Sequence, residues 1–452
     1  MSGYIDLNRE TGKNDPKRYE TVTKELCEFI ERSPSCFHVV ANFATLLTGC
    51  GFVQLSETER WNLEPGTDYF VTRNGSSIIA FRVPEQTFEN FQIVAAHSDS
   101  PSFKIKENPD LEKEKCYVQL NVEKYGGMLC APWFDRPLSI AGRVIVRNGG
   151  TCESQLLNFD RDLCLIPNLA IHMNREANTG MSYSIQKDML PVLGDAGAKG
   201  MLNKLIAQEL ETDEENILAG DLFLYSRTPY SIWGAQREFF SSTKLDDLQC
   251  AYSAMTALMD GTNDRSVCVA AVFDNEEVGS LTKQGADSTF LYDVLTRISK
   301  SLGMDDEEYH MAVAGSFLVS ADNAHAVHPS HPDKADPVNK PHMNEGPVIK
   351  FNASQKYTSD SMSASVFREI CAKADVPVQT FTNHSDVAGG STLGNLSNAH
   401  VSLNAVDIGM AQLAMHSPYE TAGVKDTAYL IDALTTFYRT HITSREGMFR
   451  LD

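Results

Sequence analysis

The chain has 452 residues, 42% hydrophobic and 22% charged, and a formal net charge of −21. That length calls for two or three structural units with cores of their own. The acidity, unrelieved by any basic run, argues against nucleic acid and anionic membrane surfaces as partners, and no apolar run reaches the ~20 residues of a membrane span.

The polar N-terminus, MSGYIDLNRETGKNDPKRYE, lacks the apolar core of a secretory signal. Ten scattered cysteines with no C-x-x-C pair read as reduced thiols. A cytoplasmic protein is expected. Residues 16–33 carry Val22, Leu26, Phe29 and Ile30 at helical spacing, and a second helix is predicted over 36–48. TDYFVTRNGSSIIAFRV reads as two strands joined at Asn74-Gly75, and Phe91–Ala96 as a buried strand. His97 and Asp99 follow it directly, and Pro101 prevents an immediate helix. A His at a strand end can coordinate a metal through one ring nitrogen while an acid two residues on fixes the ring. Standing alone, such a pair is more often structural.

From about 104 to 240 the texture changes to short strands (CYVQLNVE, AGRVIVRN), turns rich in Gly and Asn, and one helix near 198–210. This predicts a β-rich unit inserted between two parts of a catalytic domain, 1–103 and 241–452. His172 sits in the insertion among the apolar residues of IPNLAIHMNR, in a loop or at a strand edge.

STKLDDLQCAYSAMTALMD predicts an amphipathic helix beginning near Asp246 or Asp247, where a carboxylate is a favourable cap and is also placed to bridge two cations. The strand SVCVAAVF then runs into DNEEVGS. Adjacent residues leaving a strand point in different directions. One of Glu276 and Glu277 can therefore ligate a metal while the other faces a water, as a metallohydrolase requires; the same cluster also suits a solvated turn. A helix is predicted over 287–302. MAVAGSFLVSADNAHAVHPSH ends another apolar strand on an acid, Asp322, followed by His325, His328 and His331. Substrate or supporting roles suit these histidines better than ligation, because the His-Pro steps favour extended chain. GPVIKFN is a strand with Lys350 in its middle, either an edge-strand charge or a cation set in a cleft. A helix over 360–374, the strand PVQTF, the glycine-rich SDVAGGSTLGN, the strand VSLNAVDIG, and His416 just before a long helix over 418–440 complete the chain. Strands alternating with helices in both flanks predict an α/β fold with a mostly parallel sheet.

Four strand ends and a helix start thus offer His97, Asp246, Glu277, Asp322 and His416, with Glu276 to spare. Five such ligands can hold two zinc ions if one carboxylate bridges, and the same donor types admit manganese or cobalt. The C-terminal edge of an open α/β sheet is where such sites form.

Through AAHSDSP, NLAIHMNR, KLDDL, DNEEVGS, SADNAHAVHP, EGPVIK and QLAMHS, in that order over nearly the whole chain, the sequence closely resembles the aspartyl aminopeptidase family of dinuclear metallopeptidases. The resemblance implies that Asp246 bridges two metal ions, with His97 and Asp322 completing one site and Glu277 and His416 the other. It makes Glu276 the general base, Asp99 the acid that supports His97, and His325 a His near the substrate. Lys350 corresponds to the family's cation for an acidic side chain, and His172 to a residue reaching a neighbouring subunit's site. The implied assembly is a tetrahedral dodecamer built from dimers, the insertion serving as dimerisation domain. SDVAGGST departs from the eukaryotic members' version. The substrates implied are peptides with N-terminal Asp or Glu. A neutral, Leu-type preference on the same scaffold is the alternative, and a non-catalytic peptide-binding assembly a more distant one.

Overall fold

Two strands buried at every position, Asn90–His97 and Ser266–Phe273, lie parallel at the centre of a nine-stranded sheet. The computed structural model describes residues 15–387, 389–390, 392–445 and 447–452. Side chains alternate across the two central strands. Val94, Ala96, Ala270 and Val272 enter one core, whereas Ile93, Ala95, Val269 and Ala271 enter another. The first core is covered by Pro16–Arg32, Cys36–Gly49, Leu245–Asp260, Ser361–Lys373 and Asp426–Arg439, the second by Phe290–Ser301, Asp306–Ala314 and Leu393–His400. With both faces covered, the middles of the central strands are apolar on both sides.

From one edge to the other the strands are 53–55, 68–73, 77–82, 266–273, 90–97, 317–321, 404–409, 348–351 and 379–382. Five of the eight pairings are parallel, so the sheet is mixed with a parallel centre.

A separate six-stranded sheet takes its strands from 102–226 only, in the order 151–158, 138–148, 217–226, 102–113, 117–125 and 192–195. It packs Phe103, Leu120, Ile140, Leu157 and Leu222 with Leu202 and Ile206 of the helix Met201–Glu209 into a core of its own. Strand Ser231–Trp233, inside the expected 104–240 span, and strand Phe239–Ser242, across its end, belong to a five-stranded sheet in which Phe239–Ser242 pairs with Glu420–Gly423.

Three local expectations differ from the structure. MAVA closes a helix, Asp306–Ala314, rather than opening a strand, because Asp305 and Glu308 form a reciprocal capping box at its start. The helix Leu393–His400 begins inside the glycine-rich segment and runs past its end, where burial of Leu393 and Ser397 outweighs weak propensity. The last long helix begins at Asp426, not near 418, since Glu420–Gly423 is taken into the sheet. Among the described residues no helix is long and apolar enough to cross a membrane.

Candidate metal centre

His97 closes its strand opposite Phe273, and the parallel strands ending at Phe273 and Ala321 bring Glu276, Glu277 and Asp322 to the same edge. Asn275 turns the chain at φ 63, a left-handed conformation that Asn tolerates better than most residues. The backbone N–H groups of Glu276 and Glu277 both donate to the Asp99 carboxylate, at 3.1 and 3.2 Å, which also accepts the Tyr125 hydroxyl at 2.7 Å. Asp99 therefore orients the glutamate pair as well as His97. The His97 Nδ1 is 3.1 Å from the Asp99 carbonyl oxygen, so a proton there is donated to it. That leaves Nε2 facing Asp246 Oδ1 at 3.6 Å.

Asp246 and Asp247 precede the regular helix, with non-helical dihedrals, and both are buried. The other Asp246 oxygen is 3.3 Å from His416 Nε2, which in turn is 3.4 Å from Glu277 Oε2. The insertion holds the His416 ring in place, because Nδ1 bonds the Gly127 carbonyl and the Leu129 N–H donates to the His416 carbonyl at 3.0 Å. Two donor sets result, His97, Asp246, Asp247 and Asp322, and Asp246, Glu277 and His416, each with its ligand atoms within 4.8 Å of one another. Asp246 belongs to both.

The chemistry of these sets fits a divalent metal. One oxygen each of Asp246, Asp247 and Glu277 is buried without a hydrogen-bond partner, an arrangement that costs several kcal/mol unless a cation or donor meets it. Burial pushes Glu276 up to about 8 and raises Asp322, while burial and neighbouring carboxylates hold Asp247 and Glu277 well above the usual range. Burial opposes protonation of His97, and Asp247, Asp246 and Asp99 overturn it, leaving His97 raised. Asp246 is the exception, since bonds from His416 and His97 overcome burial and hold it low. Acids and histidines raised on folding bind more protons in the folded state, so the stability they contribute is lost as pH rises through the folded values. Chelated protein should therefore lose melting temperature between pH 5 and pH 8. Protein reloaded with zinc should not, a contrast that a melting series at fixed ionic strength would measure.

The other expected residues are placed differently. Lys350 is buried, 3.7 Å from Asp322 and donating to the Asn323 carbonyl at 2.8 Å. His325 lines a cavity of ≈ 340 Å³ with Tyr357 and Phe381, its ring centroid 6.3 Å from that of Phe381. His172 is exposed on a loop of the insertion and makes no hydrogen bond or ion pair with the described residues of its own chain. The sequence offers Asp247 beside Asp246 as a capping or bridging carboxylate but leaves it out of the five expected ligands, and it gives no sign of Tyr125 and Gly126, at the end of an ordinary-looking strand. A Cβ at Gly126, which has φ 78, would lie 3.1 Å from that of Glu277, so this approach needs glycine.

The family described as "Aminopeptidase I zinc metalloprotease (M18)" matches residues 29–438. A "Probable M18 family aminopeptidase 2" of Clostridium acetobutylicum is 47% identical over 423 residues, 92% of this chain and 98% of the relative. A protein of the same description from Ectopseudomonas mendocina is 40% identical over 427 residues, 93% and 98% of the two chains. Among solved structures, a chain of "Cryo-EM structure of the Ape4 and Nbr1 complex" superposes with a TM-score of 0.90 at 35% identity, covering 94% of this chain and 87% of that one. A chain of "Structure of S. cerevesiae mApe1 dodecamer" superposes with a TM-score of 0.82 at 26% identity, covering 93% and 97%. A strand-edge cluster of carboxylates and imidazoles, on a chain matched along nine-tenths of its length, places this protein in the M18 family of zinc metalloaminopeptidases.

Proposed function

We propose that the chain uses two divalent metal ions, zinc foremost and manganese or cobalt on the same donor types, to remove N-terminal Asp or Glu from peptides. The observation that carries the dinuclear reading is Asp246, the one side chain among the described residues that the two donor sets share. His97 and Asp322 complete one set beside Asp247, and Glu277 and His416 complete the other. Cations bound there would polarise the scissile carbonyl and acidify a water. Glu276 belongs to neither set, and its carboxylate makes no hydrogen bond or ion pair among the described residues. It is free to take a proton from the attacking water and return it to the leaving amine, while Asp99 fixes its backbone.

Lys350 supports acidic specificity as the buried cation beside Asp322, on the edge of the centre. The same contact favours a second reading, a neutral N-terminal residue such as Leu, because part of the Lys350 charge is already met by Asp322. Chromogenic substrates with N-terminal Asp, Glu, Leu and Ala separate the two. The acidic pair is expected to lead in kcat/KM by about 100-fold or more, with two metals per chain by elemental analysis and no activity after chelation. A preference for Leu would remove Lys350 from this role.

The active form is a cytoplasmic homo-oligomer, a tetrahedral dodecamer. Exposed Leu169, Ile171 and Met173 around His172 support burial of this loop by a second copy, and all ten cysteines are free. If His172 reaches a neighbour's substrate, His172→Ala should lower activity on acidic substrates and leave metal content and particle size unchanged. Particles mixed from His172→Ala and Glu276→Gln chains should regain activity, since each supplies what the other lacks. Mixed particles that form and stay inactive would confine His172 to its own chain.

A further inference from the structure

We infer that Glu420 is the positioning residue that sets the two donor sets against each other, an inference that rests on the dinuclear reading above. Glu420 is 1% exposed and opens the strand Glu420–Gly423, which lies between Phe239–Ser242 and Ala411–Leu413. The first neighbouring strand leads into Asp246, and the second leads into the loop that carries His416. One carboxylate ties both exits. Its Oε2 accepts the Asp246 N–H at 3.0 Å, and its Oε1 accepts the His416 N–H at 2.7 Å and the Gln412 side-chain amide at 3.3 Å. The Gln412 side-chain oxygen Oε1 accepts from the Asn323 side-chain amide at 2.9 Å, and that amide also donates to the Leu245 backbone carbonyl at 2.9 Å. Asn323 directly follows Asp322. A continuous hydrogen-bonded path therefore joins the segments bearing Asp322, Asp246 and His416, and Glu420 is where it branches.

A purely structural account is weaker than this one. Burying a carboxylate costs several kcal/mol, and the hydrogen bonds of a loop and a helix start can be met by neutral groups. What a carboxylate adds is two strong acceptors in one rigid plane, here aimed at the backbone N–H groups of Asp246 and His416, whose side chains meet at 3.3 Å. His416 also sits at φ 67, a conformation a non-glycine residue adopts only when its surroundings hold it there.

The test is zinc affinity of the whole assembled protein, stripped and retitrated against a chromophoric chelator. Glu420→Gln keeps the shape and replaces one acceptor by a donor that faces an N–H. It should bind at least one zinc 10–100-fold more weakly than the parent, with the stripped protein still unfolding cooperatively at a lowered melting temperature and turnover restored by excess zinc. Gln412→Met, which cuts only the branch towards Asn323, should weaken zinc by a smaller factor and covers the case in which Glu420→Gln does not fold. Parental zinc affinity in either folded variant overturns the inference. A parent protein that binds a single zinc per chain instead refutes the dinuclear reading, and the two failures are distinguishable because one is a stoichiometry and the other a ratio of affinities.

Discussion

Glu276→Gln is expected to retain its full metal content and lose about 10²–10⁴-fold in kcat, the usual worth of a positioned general base. The two glutamates at the end of the central strand are adjacent in sequence and differ in surroundings. Glu277 has one oxygen 3.4 Å from His416 Nε2 and the other buried without a donor. Glu276 lies outside both donor sets. Their backbones are held alike, through N–H bonds to the two oxygens of Asp99, so an amide at either position keeps the turn intact. At Glu276 the amide preserves volume and removes only the ability to accept a proton, so KM should change little. Glu277→Gln should instead lower metal content, because a ligand oxygen is replaced by a donor nitrogen. Elemental analysis beside single-turnover rates separates the cases, and loss of metal from Glu276→Gln would reverse the assignment.

How much of this was legible in the sequence depended on how local each signal was. Strand ends were readable because largely apolar runs, FQIVAA and SVCVAAVF, stop abruptly at polar residues, and those stops carry His97 and the glutamate pair. The parallel centre that gathers them followed from alternating strands and helices. What could not be read were contacts between segments far apart in the chain. Asp99 looks like a partner for His97 two residues away, yet its carboxylate spends its strongest bonds on Tyr125 and on the backbone 177 and 178 residues further on. His416 was found from its motif, but nothing local shows that Gly127 of the insertion holds its ring. Glu420 was hidden inside a stretch whose pattern suited a helix start, and only the pairing with Phe239–Ser242 makes it a strand. Lys350 reads from the sequence as an edge-strand charge or a cation set in a cleft, and only the strand order shows that its strand lies inside the edge strand, with the buried ammonium beside Asp322 and the Asn323 carbonyl.

Asp246→Ala should have the largest effect on metal binding of any single substitution, because the side chain serves both donor sets. Removing His97 or His416 takes one ligand from one set, whereas removing Asp246 takes one from each. If two dications bind as proposed, it would also remove the negative charge they share, and their mutual repulsion at the separation usual for paired metals is on the order of 20 kcal/mol even at an effective dielectric of 20. Simultaneous occupancy should then fail before either site alone does, and zinc content should drop from two to one or none per chain, with activity lost. Asp246→Asn is the sharper probe. It keeps the shape and one acceptor oxygen, and the backbone bond from Asp246 N–H to Glu420 does not involve the side chain, so the variant should fold like the parent while still failing to hold two ions. Removing the shared carboxylate also strips His97 and His416 of the group that draws them together, at 3.6 and 3.3 Å. Burial lowers both rings; Asp246 is the first group raising His416, whereas for His97 it comes after Asp247, so in metal-free Asp246→Asn His416 should titrate closer to ordinary histidine and His97 should move less, a contrast that ring-proton NMR on the isolated variant would follow. Two zinc ions per chain in Asp246→Asn, measured after dialysis against buffered zinc, would show that the two sets do not share this ligand.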